Sequence, residues 1–175
     1  MRAVARLIPH FLTASRVAAA ALLLVVPGRH ARLGLLLWAA LSDFLDGHLA
    51  RRFRCQSAVG AGFDLAADGL FFLASFFAFW RDGTLPSVWF ALILAASLPQ
   101  LAAQGVILLR PKRRIGTLGQ WWDKLLGGYS YACVIGLGLG LNATLLAAAQ
   151  VALECAANGL DLWLTVRPPR GGRPA

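Results

Sequence analysis

The stretch SDFLDGHLARRFRCQSAVGAGFDLAADG, residues 42–69, places four acidic side chains in an otherwise apolar region of the chain. Asp43 and Asp46 are three residues apart, and Asp64 and Asp68 are four apart. Either spacing puts both carboxylates of a pair on one face of an α-helix. A short basic segment separates the pairs, so we expect two antiparallel neighbouring helices whose aspartates converge at similar depth.

The composition of the whole chain indicates a membrane protein. It has 175 residues, of which 58% are hydrophobic and 14% are charged, whereas soluble domains have about 25% charged residues. Mean hydropathy is +0.64. A membrane-spanning helix needs about 20 apolar residues. We therefore predict an all-α, polytopic membrane domain over residues 1–166 and a disordered basic tail over 167–175. The six predicted transmembrane helices are 11–26, 33–50, 61–80, 88–109, 121–139 and 143–166.

The net charge of +9 has a topological explanation that does not require nucleic acid. The basic residues lie between the apolar runs, thirteen in the segments on one side of the predicted membrane and three in those on the other. Cytoplasmic loops are enriched in Lys and Arg. Both termini and the four aspartates are therefore predicted to face the cytoplasm, in the inner membrane of a bacterium.

Four carboxylates in a medium of low polarity cannot all stay ionised unless a cation joins them. Oxygen ligands favour hard ions such as Mg²⁺, Mn²⁺ or Ca²⁺, and protein-bound Mg²⁺ commonly also holds substrate phosphates. Gly47 and Gly60 would let a ligand approach closely, and the small side chain of Ala50 leaves room on the same helix face. Arg51 adds a fixed positive charge. The residues alone thus indicate metal-assisted phosphate chemistry; a structural network of buried polar groups is the alternative.

The full pattern is Asp43-x-x-Asp46-Gly47-x-x-Ala50-Arg51, eight residues, Gly60-x-x-x-Asp64-x-x-x-Asp68. It resembles the complete signature of the CDP-alcohol phosphatidyltransferase family. The resemblance implies transfer of a phosphatidyl group from a CDP-lipid, such as CDP-diacylglycerol, to a small alcohol, with release of CMP. It also implies one or two Mg²⁺ or Mn²⁺ ions, membrane lipids around the protein, and a homodimer.

The resemblance also implies individual roles for the residues. Asp43, Asp46 and Asp64 would be the main metal ligands, and Asp68 would be both a ligand and the general base. Residues expected to hold the CDP-lipid are Gly47, Ala50, Arg51 and Gly60. The amino-terminal stretch PHFLTASR, residues 9–16, is similar to the family's Pro-Asn-x-x-Thr-x-x-Arg start. It would place Thr13 and Arg16 near the nucleotide; an interfacial helix with an arginine that sets topology is the alternative.

The acceptor alcohol is predicted with less support from motifs. Arg113, Arg114 and Lys124 are the candidate acceptor-binding residues, and anionic-lipid contact is their alternative role. Glycerol 3-phosphate is the expected acceptor, as in phosphatidylglycerophosphate synthases, with inositol phosphate, serine or another alcohol as alternatives. The chain departs from that subgroup at residues 98–100, which read Leu-Pro-Gln, and at Gly69, where a lysine is usual.

Other polar residues lie inside the predicted helices. Gln100 and Gln104 share one helix face, as do Glu154 and Asp161, and each pair could line a cavity or tie helices together. A non-catalytic cation-binding protein or a transporter is the rival function. Residues 33–39 and 71–79 carry almost no polar groups, which disfavours a polar path across the membrane.

Overall fold

The computed structural model describes residues 2–53, 58–109 and 119–166, and these residues form helices joined by short turns. The six helices are α1 (Arg2–Val25), α2 (Arg29–Phe53), α3 (Ala58–Arg81), α4 (Ser87–Leu109), α5 (Gly119–Leu139) and α6 (Ala143–Val166). Each corresponds to one predicted apolar span. The largest difference is at the amino terminus, where α1 begins at Arg2 instead of residue 11. The all-helical prediction is confirmed, and the predicted tail, 167–175, lies outside the described residues.

Three glycines with positive φ shape the described turns at one end of the bundle. Gly28, with φ of 105°, follows Pro27 between α1 and α2; Gly83 and Gly140, with φ of 76° and 78°, follow α3 and α5. Residues with side chains rarely adopt this conformation, whereas glycine adopts it readily. Asn142 then caps α6, because its Oδ1 accepts a hydrogen bond from the Leu145 amide at 3.2 Å. These local signals set the helix boundaries.

Helix α1 packs against both α2 and α3. Small buried residues allow these close approaches, among them Ala19 and Ala20 of α1, Ala39 of α2 and Ala67 of α3. The backbones of the described parts of α2 and α3 do not approach each other closely. In the described residues the two helices are connected through α1 and α5, which contact both of them.

Helix α5 packs against the other side of α2 and also contacts α3 and α6. Gly138 makes the α2–α5 approach possible, because a Cβ atom there would come within 3.2 Å of both Leu33 and Leu36. Tyr131 of α5 packs against Phe71 and Phe72 of α3, with ring centroids 5.9 and 4.7 Å apart. Helix α4 completes the bundle by packing against α3 and α6.

The outer surface of the bundle is apolar. Phe11, Val25 and Phe44 expose 72%, 74% and 68% of their surface, more than a protein surrounded by water would normally leave uncovered in so many places. Within the described residues, Ala143–Leu160 of α6 has the length and hydropathy of a membrane-crossing helix. Shorter apolar stretches occupy Thr13–Val25, Ser87–Ala102 and Leu125–Leu139.

Candidate active site

The four signature aspartates lie on two helices. Asp43 and Asp46 are in the second half of α2, and Asp64 and Asp68 are in the first half of α3. Only residues 54–57 separate the two helices in the sequence. The second half of one helix and the first half of the next therefore belong to the same end of the bundle, which is opposite the turns that contain Gly28, Gly83 and Gly140.

The centre of the candidate site is Arg16 of α1, whose surface is completely buried. Its Nη1 atom forms an ion pair with Asp68 Oδ1 of α3 and lies 3.4 Å from Asp43 Oδ1 of α2. A buried charge is costly unless opposite charges and hydrogen bonds compensate it. The two carboxylates provide that compensation, so one guanidinium joins acidic groups from two different helices.

Both carboxylates remain accessible from outside the protein. The Asp43 side chain is 39% exposed and the Asp68 side chain is 25% exposed, whereas Arg16 beneath them is sealed. The arrangement is a buried cation with two anionic groups above it that can still reach a ligand.

Neighbouring residues of α1 and α2 position this centre. Thr13 is buried three residues before Arg16 and therefore lies on the same side of α1. Ser42, next to Asp43, is buried and its Oγ donates to the Ala39 carbonyl at 2.8 Å. Trp38 Nε1 donates to Ser15 Oγ at 3.4 Å. The Trp38–Ser15 hydrogen bond links α2 to α1 next to Arg16.

The remaining predicted residues divide into two groups. Several of these residues belong to α2, α3 or α5, but their side chains lie outside the described part of the structure. They are Asp46, Gly47, Ala50, Arg51, Gly60, Asp64 and Lys124. Arg113 and Arg114 lie outside the described residues altogether. Among the side chains that are described, no group of three or more His, Cys, Asp or Glu residues has the arrangement of a metal site.

A second polar cluster joins α4, α5 and α6. Glu154, which is only 5% exposed, accepts hydrogen bonds from Ser97 Oγ at 2.8 Å and from Gln150 Nε2 at 2.7 Å. Gln150 Nε2 also donates to Ser130 Oγ at 2.9 Å. Glu154 was singled out from the sequence, but its partners Ser97, Ser130 and Gln150 were not. The i, i+4 spacing of Gln150, Glu154 and Asn158 on one face of α6 was the available signal.

Asn158 continues this cluster toward Pro99. Its Nδ2 donates to the Ala96 carbonyl at 2.8 Å, one turn before the proline inside α4. Proline disturbs the hydrogen bonds of the preceding turn, and a neighbouring helix can satisfy the freed carbonyls. The cluster is therefore explained as a tie between helices.

Comparison with known proteins agrees with the geometry of the aspartate helices. The profile of the CDP-alcohol phosphatidyltransferase family matches residues 6–163, which includes all the described helices except the ends of the first and last. The chain belongs to this family.

A relative with an assigned activity is the CMP-forming cardiolipin synthase of Streptomyces coelicolor (strain ATCC BAA-471 / A3(2) / M145). It is 37% identical over 86 residues, which is 47% of this chain and 39% of the relative. The aligned region thus covers just under half of this chain and about two fifths of the relative. Membership of a family of phosphatidyltransferases favours an enzyme over the alternative of a non-catalytic cation-binding protein or transporter.

Proposed function

We propose that the enzyme transfers the phosphatidyl group of CDP-diacylglycerol to a hydroxyl of a glycerol phosphate unit, in a reaction that depends on Mg²⁺ or Mn²⁺. The observation that carries the proposal is the convergence of Asp43 and Asp68 on the buried Arg16 guanidinium. These are the first and last aspartates of the signature, on separate helices, and their side chains meet at one point.

The chemistry of these groups suits a hard divalent ion. Asp43 and Asp68 supply partly exposed carboxylate oxygens, which are the ligands that Mg²⁺ and Mn²⁺ prefer. Asp46 and Asp64 lie within one helical turn of them in sequence and complete the proposed ligand set. When bound, one or two ions would neutralise the diphosphate charge and stabilise the charge that develops at phosphorus.

Asp68 is the proposed general base. It would take the proton of the acceptor hydroxyl while the acceptor oxygen forms a bond to the lipid-side phosphorus. The bond between that phosphorus and the oxygen of CMP breaks, and CMP leaves with the electron pair. Arg16 holds one Asp68 oxygen, so the orientation of the carboxylate is fixed before the acceptor arrives.

The donor would lie along α2 and the start of α3. Gly47, Ala50, Arg51 and Gly60 are the proposed contacts for its CDP portion, with Thr13 and Arg16 of α1 at the nucleotide end. The structure supports the proximity of α1 to the site, since Thr13 and Arg16 are both buried beside it. Because Arg16 is completely buried, it would act at the nucleotide end by orienting the Asp43 and Asp68 carboxylates.

The proposed acceptor is a glycerol phosphate unit, either as free glycerol 3-phosphate or as the headgroup of phosphatidylglycerol. The two share a phosphate and a primary hydroxyl. The cardiolipin synthase relative favours the lipid form, because cardiolipin consists of two phosphatidyl groups joined by one glycerol. Arg113, Arg114 and Lys124 are the proposed cationic partners of the acceptor phosphate.

Purified enzyme with CDP-diacylglycerol and Mg²⁺ tests the proposal directly. CMP release would be followed with glycerol 3-phosphate, phosphatidylglycerol, inositol phosphate and serine in parallel, and the lipid product identified by mass spectrometry. Release with either glycerol phosphate acceptor supports the proposal and identifies the source. Release with inositol phosphate or serine alone would overturn the acceptor, and no release with any of them would count against the whole reaction.

We further propose that all six helices cross the membrane, with both termini and the aspartates on the cytoplasmic side, and that the protein is a homodimer. The exposed apolar side chains and the asymmetric distribution of basic residues support this topology. Labelling of cysteines introduced at residues 5 and 84 with a membrane-impermeant reagent in intact cells would test it, since only position 84 should react. Mass measurement in detergent would test the dimer.

A further inference from the structure

A cavity of about 320 Å³ lies at the end of the bundle opposite the aspartates. Its volume is near the lower limit of about 300 Å³ for pockets that bind small molecules. The exposed turn residues Gly28, Thr84 and Gly140 contribute to its lining, as do the buried side chains of Phe79 and Leu137. The cavity thus combines a solvent-accessible rim with an apolar wall.

Arg32 is the basic residue that lines this cavity, and only 8% of its surface is exposed. Its Nη1 atom forms an ion pair with Asp82, which also lines the cavity. Its Nε donates to the Val26 carbonyl at 3.1 Å. A guanidinium has five N–H donors, so these two contacts leave Arg32 with donors for a further acceptor.

The charge around Arg32 remains positive. Arg81 Nε lies 3.7 Å from Asp82 Oδ1, and Arg81 Nη1 donates to the Leu24 carbonyl at 2.7 Å. Two arginines and one aspartate therefore leave a formal charge of +1. Arg32 lines the cavity, whereas Arg81 reaches the same aspartate without lining it.

We propose that this cavity binds the phosphate group of an anionic phospholipid headgroup. The guanidinium group suits phosphate oxygens in charge and geometry. Asp82 and Thr84 can accept hydrogen bonds from headgroup hydroxyls, and Phe79 and Leu137 give the carbon atoms of the lipid an apolar wall. That wall favours a lipid over free phosphate.

The site is separate from the proposed reaction centre. Arg32 and Asp43 both belong to α2 and are eleven residues apart, which corresponds to about 16 Å along the helix axis. A lipid at Arg32 would therefore occupy the membrane leaflet that does not contain the aspartates.

The test uses the full chain with a Thr84→Cys substitution, purified in maltoside micelles. Modification of the introduced thiol by a charged thiol reagent would be timed by peptide mass spectrometry, which separates it from the native cysteines. Added phosphatidylglycerol should slow the modification about tenfold, as expected when nine-tenths of the sites are filled. Digalactosyldiacylglycerol, which has no phosphate, should leave the rate unchanged.

Two variants link the protection to the arginines. Arg32→Gln should abolish it, and Arg81→Gln, at a half-exposed position that folding tolerates better, should reduce it. In a chain that also carries Asp68→Asn, phosphatidylglycerol should still protect the introduced thiol fully. This result would show that lipid binding at the cavity does not depend on the proposed reaction centre. Equal rates with both lipids would overturn the proposal, as would equal protection by sodium phosphate or protection that survives both arginine substitutions.

Discussion

Arg16 and Asp68 form an ion pair across 52 positions of the sequence, and the arginine is entirely buried. The same Arg16 atom lies 3.4 Å from Asp43. The first and last aspartates of the signature are thus held by a residue from outside the signature. This relationship gives α1 a direct part in building the reaction centre, and several consequences can be measured.

Asp68→Asn should lower the rate of CMP release at least about 100-fold, because the amide cannot take the proton of the acceptor. Release would be measured with saturating donor and acceptor. Asp82→Asn is the matched control, since it makes the same change in another arginine–aspartate pair at the opposite end of the bundle, and its rate should stay close to that of the unmodified enzyme. A normal rate for Asp68→Asn would remove Asp68 from the role of base.

Arg16→Gln should destabilise the protein by about 3–5 kcal/mol, the usual effect of removing one partner of a buried ion pair. Thermal unfolding in detergent would measure it. The double variant with Asp68→Asn should lose less than the sum of the single variants, because the two residues share one interaction. Additive losses would show that the pair contributes nothing to stability.

Removal of divalent ions by a chelator should stop CMP release, and Mg²⁺ or Mn²⁺ should restore it. Zn²⁺ should restore it poorly, because carboxylate oxygens are a poorer match for zinc than nitrogen and sulfur ligands are. A readout independent of turnover is the thermal midpoint, which should rise with added Mg²⁺ in the unmodified chain and much less in Asp43→Asn. Full activity in excess chelator would refute the metal requirement.

Glu154→Ala should reduce stability while the folded fraction keeps its rate of CMP release. The substitution removes one acceptor from Ser97, which keeps the Ile93 carbonyl, and leaves one Gln150 N–H without a partner, which costs about 1–3 kcal/mol. Glu154→Gln, which keeps one acceptor oxygen, should be milder. A loss of turnover by well-folded Glu154→Gln protein would instead place Glu154 in the reaction.

Gly138→Leu should separate α2 from α5, since even a Cβ at this position comes within 3.2 Å of Leu33 and Leu36. We expect lower thermal stability and reduced CMP release, because α2 carries Asp43. Gly159→Leu is the control: nothing lies within 4 Å of a Cβ at that glycine. Equal effects of the two substitutions would contradict the close α2–α5 approach.

The sequence predicted the helices well because apolar runs and turn residues are local signals. Pro27 with Gly28, for example, marks the end of α1 in both the sequence and the structure. The aspartates were likewise recognisable from their spacing, without three-dimensional information.

The arrangement of helices was harder to predict, because it depends on residues far apart in the sequence. Local spacing cannot reveal that α1 packs against both α2 and α3, or that Arg16 meets Asp68. Nor does it show that Ser97 pairs with Glu154, 57 positions away. A topology argument explained Arg16 equally well as a residue at the membrane surface, and its complete burial beside two acids favours a part in the site.

The Arg16 ion pairs also bear on how the protein is made. Arg16 emerges from the ribosome before either of its acidic partners, and a lone arginine within a spanning helix costs about 2.5–3.5 kcal/mol on the insertion scale. If α1 crosses the membrane as proposed, it would enter the bilayer with an unmet charge and reach its final depth only after α2 and α3 have followed. The proposed reaction centre and the order of assembly in the membrane would then depend on the same guanidinium.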